Sequence, residues 1–441
     1  MCSDRWLPLL GRSIAFALLA IVCATTPAAA QQDRPWNPYG TEVYREGPGV
    51  RLGNAALIFH PGAVIEAGYD SNVFYLPDHE VGSALLRVRL HFDLQSAPAV
   101  EVNGVTPSAN QQIDFKLSTQ IEYREYLSRN EALTAQRSIN AFVAGHLTIF
   151  PKGRVTLRID EEFIRSVDPR NGEGPVTFGR IYNRAGVELM GRPGSGRLEL
   201  GVADHVIVQR YEDSDLQFGN SLQNEAQLFA RFKLFSRTVL GLTVGVGYIR
   251  YDNSPSLEAV PLRVLAEASS PLTSWLEATL ALGYGNSLSL RSARFSSAIS
   301  HEELRFLLPL GIHISVGHRR DFFDSLFASY FVDDSIYVGY QQPFLHLLRF
   351  YAEGAVRFRR YEGLVDPMLL GYIGYSSTHR SDLLFDAHAG LSVQARRWLA
   401  VGASYNLLGD RTDFGFMRKD GSTLGVRYIK HSVLAQLDFA Y

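Results

Sequence analysis

The last stretch of the chain, from Gly425 to Tyr441, constrains the fold more than any other. Its second half alternates between apolar and polar positions, as a β-strand with two different faces does. An apolar strand that ends on an aromatic residue leaves an edge in need of a partner, and pairing with the first strand would close a barrel and remove both edges. The alternative is an edge strand of a soluble sheet. One face carries Val433, Ala435, Leu437, Phe439 and Tyr441, and the other Ser432, Gln436, Asp438 and Ala440.

The same alternation recurs along most of the chain. It runs without a break from Ser83 to Gln95 and again from Ile113 to Leu127, which is long for a soluble strand. Two places disturb it, because Pro61-Gly62 would interrupt the first strand and Asp333-Asp334 calls for a bulge or an extra loop. We expect about 18 strands, with 16 to 20 possible. Their predicted centres lie near residues 62, 89, 119, 143, 159, 184, 204, 228, 244, 264, 280, 303, 316, 335, 354, 388, 403 and 432.

Short turns and long loops alternate between these strands, which is typical of outer-membrane barrels. The pattern predicts an all-β fold, a transmembrane antiparallel β-barrel of the outer-membrane type that spans residues 55–441. Tight turns are expected near 150–153, 192–196, 235–237, 270–273, 308–310, 342–344 and 395–397, and polar loops over 128–137, 168–177, 212–220, 252–258, 289–297, 362–380 and 409–421.

The N-terminus reads as an export signal. Arg5 and Arg12 are followed by the apolar run Ile14 to Cys23 and by Ala28-Ala29-Ala30, a small-residue cleavage site. Residues 1–30 are therefore predicted to be a signal peptide and residues 31–54, rich in Pro, Gly and charge, a periplasmic lead-in. This predicts secretion to the cell outer membrane, with outer-membrane lipid as a partner.

Composition excludes several classes of protein. Both cysteines, Cys2 and Cys23, fall in the predicted signal peptide, so the mature chain would have no disulfide and no thiolate site. Removal of Asp4, Arg5 and Arg12 from 43 basic and 45 acidic residues leaves 41 and 44, a formal charge of −3 that does not favour nucleic acid. The 26 Phe, 21 Tyr and 38 Gly suit a sheet with one lipid face and one wet face.

The polar faces of the clearest strands predict a channel lining of mixed charge. Such a set could form hydrogen bonds to a passing polar solute, or its members could simply pair across strands and keep the lumen wet. Because neither sign dominates, a neutral or weakly charged cargo is expected. The predicted lining is Arg87, Arg89, His91, Asp93, Asp114, Lys116, Glu122, Arg124, Arg158, Asp160, Glu162, Arg349, Glu353, Arg357 and Arg359.

Signals for an enzyme are weak, and none is expected. The 12 histidines are scattered, and the sequence contains no His-Glu-x-x-His, no Gly-x-Ser-x-Gly and no Gly-rich phosphate loop. His205 beside Asp204, and His318 near Asp324-Ser325, fit polar positions in a lumen better than a catalytic site. No metal and no cofactor are predicted.

Two short segments resemble known outer-membrane features. Leu437, Phe439 and Tyr441 resemble the C-terminal signal recognised by the barrel-assembly machinery, although that signal prefers a final Phe. The segment Gly68-Tyr69-Asp70-Ser71-Asn72-Val73-Phe74 resembles a signature, carried here by Tyr69, Asp70, Asn72 and Phe74, of the β-barrel porins associated with exopolysaccharide gene clusters. That resemblance implies a conduit for surface polysaccharide that works with a periplasmic polysaccharide export protein.

Three functions follow as hypotheses. The first is a conduit that exports an exopolysaccharide chain, the second a general or solute-specific uptake porin, and the third a structural or adhesive barrel that acts through its outer loops. Alternation in a barrel does not encode the direction of transport. Cargo, direction, the openness of the lumen and the oligomeric state are therefore left open.

Overall fold

A computed structural model describes residues 49–52, 57–96, 112–168, 179–194, 196–289, 292–344 and 347–441. The predicted signal peptide and most of the predicted lead-in lie outside the described residues. Within them the chain forms almost only antiparallel strands and short turns. No helix in these ranges is long and apolar enough to cross a bilayer.

Eighteen of the described strands form the wall of a barrel, and a short strand, β1 (Val50–Leu52), pairs with the first of them. The first half of the wall consists of β2 (Leu57–Asp70), β3 (Ser83–Ser96), β4 (Ile113–Leu127), β5 (Ser138–Ile149), β6 (Val155–Ser166), β7 (Arg180–Gly191), β8 (Leu198–Tyr211), β9 (Ser221–Lys233) and β10 (Val239–Tyr251). The second half consists of β11 (Leu262–Pro271), β12 (Leu276–Asn286), β13 (Ser296–Leu308), β14 (Ile312–Phe323), β15 (Ala328–Phe344), β16 (Leu348–Leu364), β18 (Arg380–Arg396), β19 (Leu399–Arg411) and β22 (Tyr428–Ala440).

The sheet closes on itself between β2 and β22. Ala63 lies opposite Phe439 and Tyr69 opposite Val433, while the other edge of each strand pairs with β3 and β19. The strands approach so closely that a Cβ on Gly68 would lie 1.8 Å from the Val433 carbonyl oxygen. The chain is therefore a closed 18-stranded antiparallel barrel, and each of the 18 predicted strand centres falls inside an observed strand.

Three local predictions were wrong. Pro61 does not interrupt the first strand, because β2 continues through it and its carbonyl accepts the N–H of Tyr441 at 3.0 Å. Asp333 and Asp334 lie in a regular part of β15, and the register instead shifts between Gln394 and Arg396. The predicted turn at 342–344 is still strand, since Pro343 pairs with Arg349 near the strand end, where the missing N–H of proline is tolerated.

The two faces of each strand differ as the alternation predicts. On β22 the side chains of Val433, Leu437 and Tyr441 are exposed on the outside, and those of Gln436 and Asp438 are buried on the inside. Aromatic residues flank the outer apolar band, among them Trp275 and Trp398 near the short turns and Tyr69, Tyr248 and Tyr284 towards the long loops. Aromatic girdles of this kind mark the two interfaces of a membrane barrel.

The long loops carry further structure. They contain a short helix, α1 (Glu131–Thr134), 3₁₀ turns at Ser214–Gly219, Pro255–Leu257 and Pro367–Leu370, and a small sheet of β17 (Gly374–Tyr375), β20 (Gly415–Met417) and β21 (Thr423–Gly425). We call this side of the barrel the long-loop end and the opposite side the short-turn end.

Candidate channel interior

The barrel interior contains a cavity of about 880 Å³ that lies against β8 to β18. All the residues around it belong to barrel strands, and none belongs to a long loop. Serine, glycine and alanine alternate with charged side chains along this wall. The charged residues of the lining include the bases Arg231, Lys233, Arg319 and Arg357 and the acids Glu199, Glu267, Glu303, Asp321, Glu353 and Asp386.

Most of these charges are already paired with one another. Lys233 Nζ lies 3.0 Å from Glu199 Oε1, and Arg319 Nη2 lies 3.4 Å from Asp321 Oδ2. Arg357 forms an ion pair with Asp386 across β16 and β18. The cavity wall therefore offers donors and acceptors side by side, with little net charge.

Tyr337 stands on this wall and connects two neighbouring strands to its own. Its hydroxyl donates to Glu303 Oε2 at 2.8 Å, and the hydroxyl oxygen itself lies 2.9 Å from His301 Nε2. Its ring passes over Gly317, where a Cβ would come within 2.2 Å of the ring carbon Cζ. Glycine at this position is what allows an aromatic ring to lie flat on the barrel wall.

The opposite arc of the interior, on β2 to β4, is filled with buried ion pairs. Glu66 Oε2 lies 3.0 Å from Arg87 Nε and 3.1 Å from Arg89 Nη2, and Arg89 Nη2 also lies 3.1 Å from Glu122 Oε2. Arg124 continues the chain of charges to Glu122, at 3.1 Å. We call these five residues the β2–β4 ion cluster.

Asp168, just beyond β6, extends this cluster at the long-loop end. Arg124 Nη1 donates to its Oδ1 at 2.9 Å and Arg124 Nη2 to its Oδ2 at 3.1 Å. Burial tends to raise the pKa of the Asp168 carboxyl, but the charge of Arg124 and its hydrogen bonds outweigh burial and hold the pKa below its ordinary value.

A second buried group of charges lies on β15 to β19. Arg359 forms two hydrogen bonds of 2.7 Å with the carboxylate of Asp333, and its guanidinium lies 3.8 Å from the centre of the Phe331 ring. Arg380 Nη2 lies 2.7 Å from Asp382 Oδ2 and packs on the Tyr361 ring at 4.2 Å. Bidentate and ring-stacked contacts of this kind are specific to arginine.

The residues predicted from sequence to line a channel are divided between these regions. Glu353 and Arg357 lie on the cavity wall. Arg87, Arg89, His91, Asp93, Glu122, Arg124 and Arg359 are buried, with exposed fractions of 0 to 4 %. The others are half-buried or exposed: Asp114 beside His146 at 3.9 Å, Arg158 beside Glu188 at 4.0 Å, Asp160 beside Arg184 at 3.8 Å, and Lys116, Glu162 and Arg349. Their role as a channel lining stays a prediction.

Sequence reasoning missed the residues at the centre of the cavity wall, namely Tyr337, His301, Glu303 and Arg319. They were missed because the outer face of the same strands also carries polar groups. Glu302 Oε2 lies 2.8 Å from His318 Nδ1, and Asp334 pairs with Arg320 at 2.6 Å. Polar residues on both faces blur the two-residue period between Glu302 and Tyr340. The pairing of Tyr337 with Gly317 becomes visible only once the register of β14 and β15 is known.

The family-like motif lies at the long-loop end of the seam that closes the barrel. Asp70 pairs with Lys430 at 2.9 Å and accepts the N–H of Asn72 at 3.1 Å. Asn72 is completely buried, and its amide bonds the backbone of Leu76 and Ile429. Tyr69 is exposed on the outer face, and Phe74 packs partly buried beside Val73, Leu85, Tyr126, Leu133 and Leu434.

Loops from opposite sides of the ring meet above the cavity. They bury an apolar group that we call the loop cluster, formed by Tyr211, Phe218, Leu326, Phe327, Phe414, Phe416 and Val426. Phe416 lies at its centre, stacked on Tyr372 with 4.6 Å between ring centres. Tyr375 of the small sheet packs against the same cluster, and burial raises the pKa of its hydroxyl. Among the described residues, no group of His, Cys, Asp or Glu is arranged to hold a metal ion.

Comparison with known proteins gives matches among solved structures only. No protein-family model matches the chain, and no curated protein matches it either. OccK2 (OpdF) of Pseudomonas aeruginosa is 14 % identical over 87 % of this chain and 98 % of its own, with a TM-score of 0.46. OpdK of the same organism, solved with vanillate, is 12 % identical over 87 % and 99 % with a TM-score of 0.46, and OccAB2 of Acinetobacter baumannii is 12 % identical over 88 % and 99 % with a TM-score of 0.47.

Proposed function

We propose that this barrel is a channel of the outer membrane that lets a small polar solute pass. The proposal rests on one observation, the cavity of about 880 Å³ lined by the barrel wall. Sites that hold small molecules typically measure about 300–1,000 Å³. A barrel of 18 strands is wide enough for an aqueous lumen, and here buried ion pairs fill the part of the interior along β2 to β4.

The loop cluster supports a small solute over a threaded polymer. Residues of the β8–β9 loop, such as Phe218, pack in one apolar group with residues of the β19–β22 loop, such as Phe416. These loops start from opposite sides of the ring, so they narrow the mouth at the long-loop end. A small solute needs only a gap between such loops, whereas an extended polysaccharide needs a continuous opening. The uptake hypothesis is therefore preferred to polysaccharide export, and to a purely structural or adhesive barrel.

Assembly and location belong to the same proposal. The pairing of β22 with β2 supports a role of Leu437, Phe439 and Tyr441 as an assembly signal. We take the barrel-assembly machinery and outer-membrane lipid as partners in this sense. The periplasmic export protein implied by the family resemblance would be needed only for polysaccharide export.

Swelling of liposomes that contain the purified barrel tests the proposal. Vesicles loaded with a large impermeant solute should swell in arabinose and glucose, more slowly in sucrose, and not in a long dextran. Vesicles without protein are the control. Absence of swelling in every solute by folded protein would contradict a channel. If deletion of the gene abolished surface polysaccharide while its synthesis continued, export would replace uptake.

A further inference from the structure

Tyr337 forms a flat aromatic platform on the cavity wall. Gly317 is its direct cross-strand neighbour on β14, and the lack of a side chain there leaves space for the ring. The ring spans β14, and its hydroxyl reaches Glu303 and His301 on β13. The side chain is therefore fixed at the backbone on one side and at the hydroxyl on the other, so it is held in one orientation.

The open face of this platform is turned to the cavity. One face of the ring covers Gly317, and Tyr337 is itself part of the cavity wall, so the opposite face is the one that a solute meets. Among the described residues that line the cavity, Tyr337 is the one Phe, Tyr or Trp. Phe229 lies over Gly201 in the same way, but the guanidinium of Arg231 covers it at 4.5 Å from the ring centre.

Hydrogen-bonding groups surround the platform on the same wall. Ser315, Ser335 and Glu353 belong to the lining, as do Arg319 and Arg357. Both arginines have carboxylate partners, Asp321 and Asp386. An ionised solute would have to compete with these partners, whereas hydroxyl groups can add hydrogen bonds to both members of an ion pair.

We propose that Tyr337 and the polar groups around it bind the ring of a neutral sugar as it passes through the barrel. A pyranose ring has an apolar face of C–H groups, which packs on an aromatic face, and a rim of hydroxyl groups, which donate and accept hydrogen bonds. The cavity supplies both surfaces together. This inference rests on the proposed channel function and names the class of its solute.

The test measures how sugars block the ion current of single barrels in planar bilayers. Maltose and glucose should reduce the current in a saturable way, and sorbitol, which has hydroxyl groups but no ring, should reduce it less. In the Tyr337→Leu variant the maltose concentration that gives half of the block should rise about tenfold, as expected for loss of an aromatic contact. Tyr337→Phe keeps the platform and should retain most of the block.

Tyr351→Leu is the matched control. Tyr351 also lies over a glycine, Gly390, and its hydroxyl lies 3.2 Å from His388 Nε2, but it is outside the cavity wall. In this variant maltose should block the current at the same concentration as in the unchanged chain. Heat-modifiable gel mobility should show that all variants are folded. A conducting barrel that no sugar blocks, or equal block in Tyr337→Leu, would overturn the sugar site and leave the channel standing. A folded barrel without current would overturn both proposals.

Discussion

At the scale of single residues, buried polar side chains hold the barrel in a specific register. Asn72 joins two segments that are distant in sequence, because its Nδ2 donates to the carbonyls of Leu76 at 2.9 Å and Ile429 at 3.1 Å. Its Oδ1 accepts the Leu76 N–H at 2.9 Å. Without this amide, backbone groups at the end of the seam would lose their partners, and a buried group without a partner is costly.

Asn72→Ala should therefore destabilise the closed barrel by about 1–3 kcal/mol, the usual cost of unsatisfied buried groups. The measurement is the urea concentration at which the folded band disappears on a gel in detergent. Asp420→Ala is the control, because Asp420 is an exposed loop residue whose carboxylate accepts hydrogen bonds from its near neighbour Ser422. Equal midpoints for both variants would show that the motif does not stabilise the seam.

Asp168→Asn should show a dependence on pH. The pKa of Asp168 is lowered in the folded chain, so its ionised form adds stability above the ordinary carboxyl pKa of about 3.9, and that contribution is lost as pH falls through the lower folded value. The variant should be less stable than the unchanged chain at neutral pH by about 1–3 kcal/mol. The difference should shrink below about pH 4. A difference independent of pH would contradict the ion pair with Arg124.

At the scale of strands, the two-residue period carries nearly all the information about the fold. It placed every strand centre because lipid on one side and polar groups on the other act on each strand separately. It failed at Pro61 and Pro343, because proline is tolerated inside a strand at positions where the ladder needs no backbone N–H. It also failed to find Tyr337, because long-range contacts between strands, which bring that ring over Gly317, leave no trace in the period.

Neighbouring residues on β9 test the assignment of faces. Leu228 is 63 % exposed on the outer face, and Gln227 points inwards, where its amide lies 3.3 Å from Glu225 Oε1. Leu228→Lys should cost about 2–4 kcal/mol, because it places a charge in the lipid band, and should lower the folded fraction in lipid vesicles. Gln227→Lys can pair with Glu225 and should fold as the unchanged chain does. If Gln227→Lys lowered the folded fraction more than Leu228→Lys, the assignment of inner and outer faces would be wrong.

At the scale of the whole molecule, the interior is divided into a filled arc and an open arc. The β2–β4 ion cluster fills the first, and the cavity lies against the second, where the buried charges of β15 to β19 lie further along the strands, towards the long-loop end. The loop cluster lies above both and connects opposite sides of the ring. A general polar lumen could be predicted from the sequence, but this division could not, because it depends on which charges meet across the barrel.

Phe416→Ala should loosen the loop cluster. Phe416 is 2 % exposed, and its loss should remove about 3–5 kcal/mol of packing from the loops. The mean conductance of single barrels should rise, and external trypsin should cut more rapidly at Arg418 or Lys419. Met368→Ala is the control on the same end of the barrel, since Met368 is 73 % exposed. Unchanged conductance and cleavage in Phe416→Ala would show that the cluster does not narrow the mouth.

The central claim is that this barrel conducts through a lumen of balanced charge. It is tested most directly by the current of single purified barrels in a planar bilayer under a steep KCl gradient. We predict discrete current steps that reverse close to zero voltage, because paired acids and bases on the cavity wall favour neither ion. A folded barrel that carries no current, or one that reverses near the Nernst potential of chloride or potassium, would contradict the account.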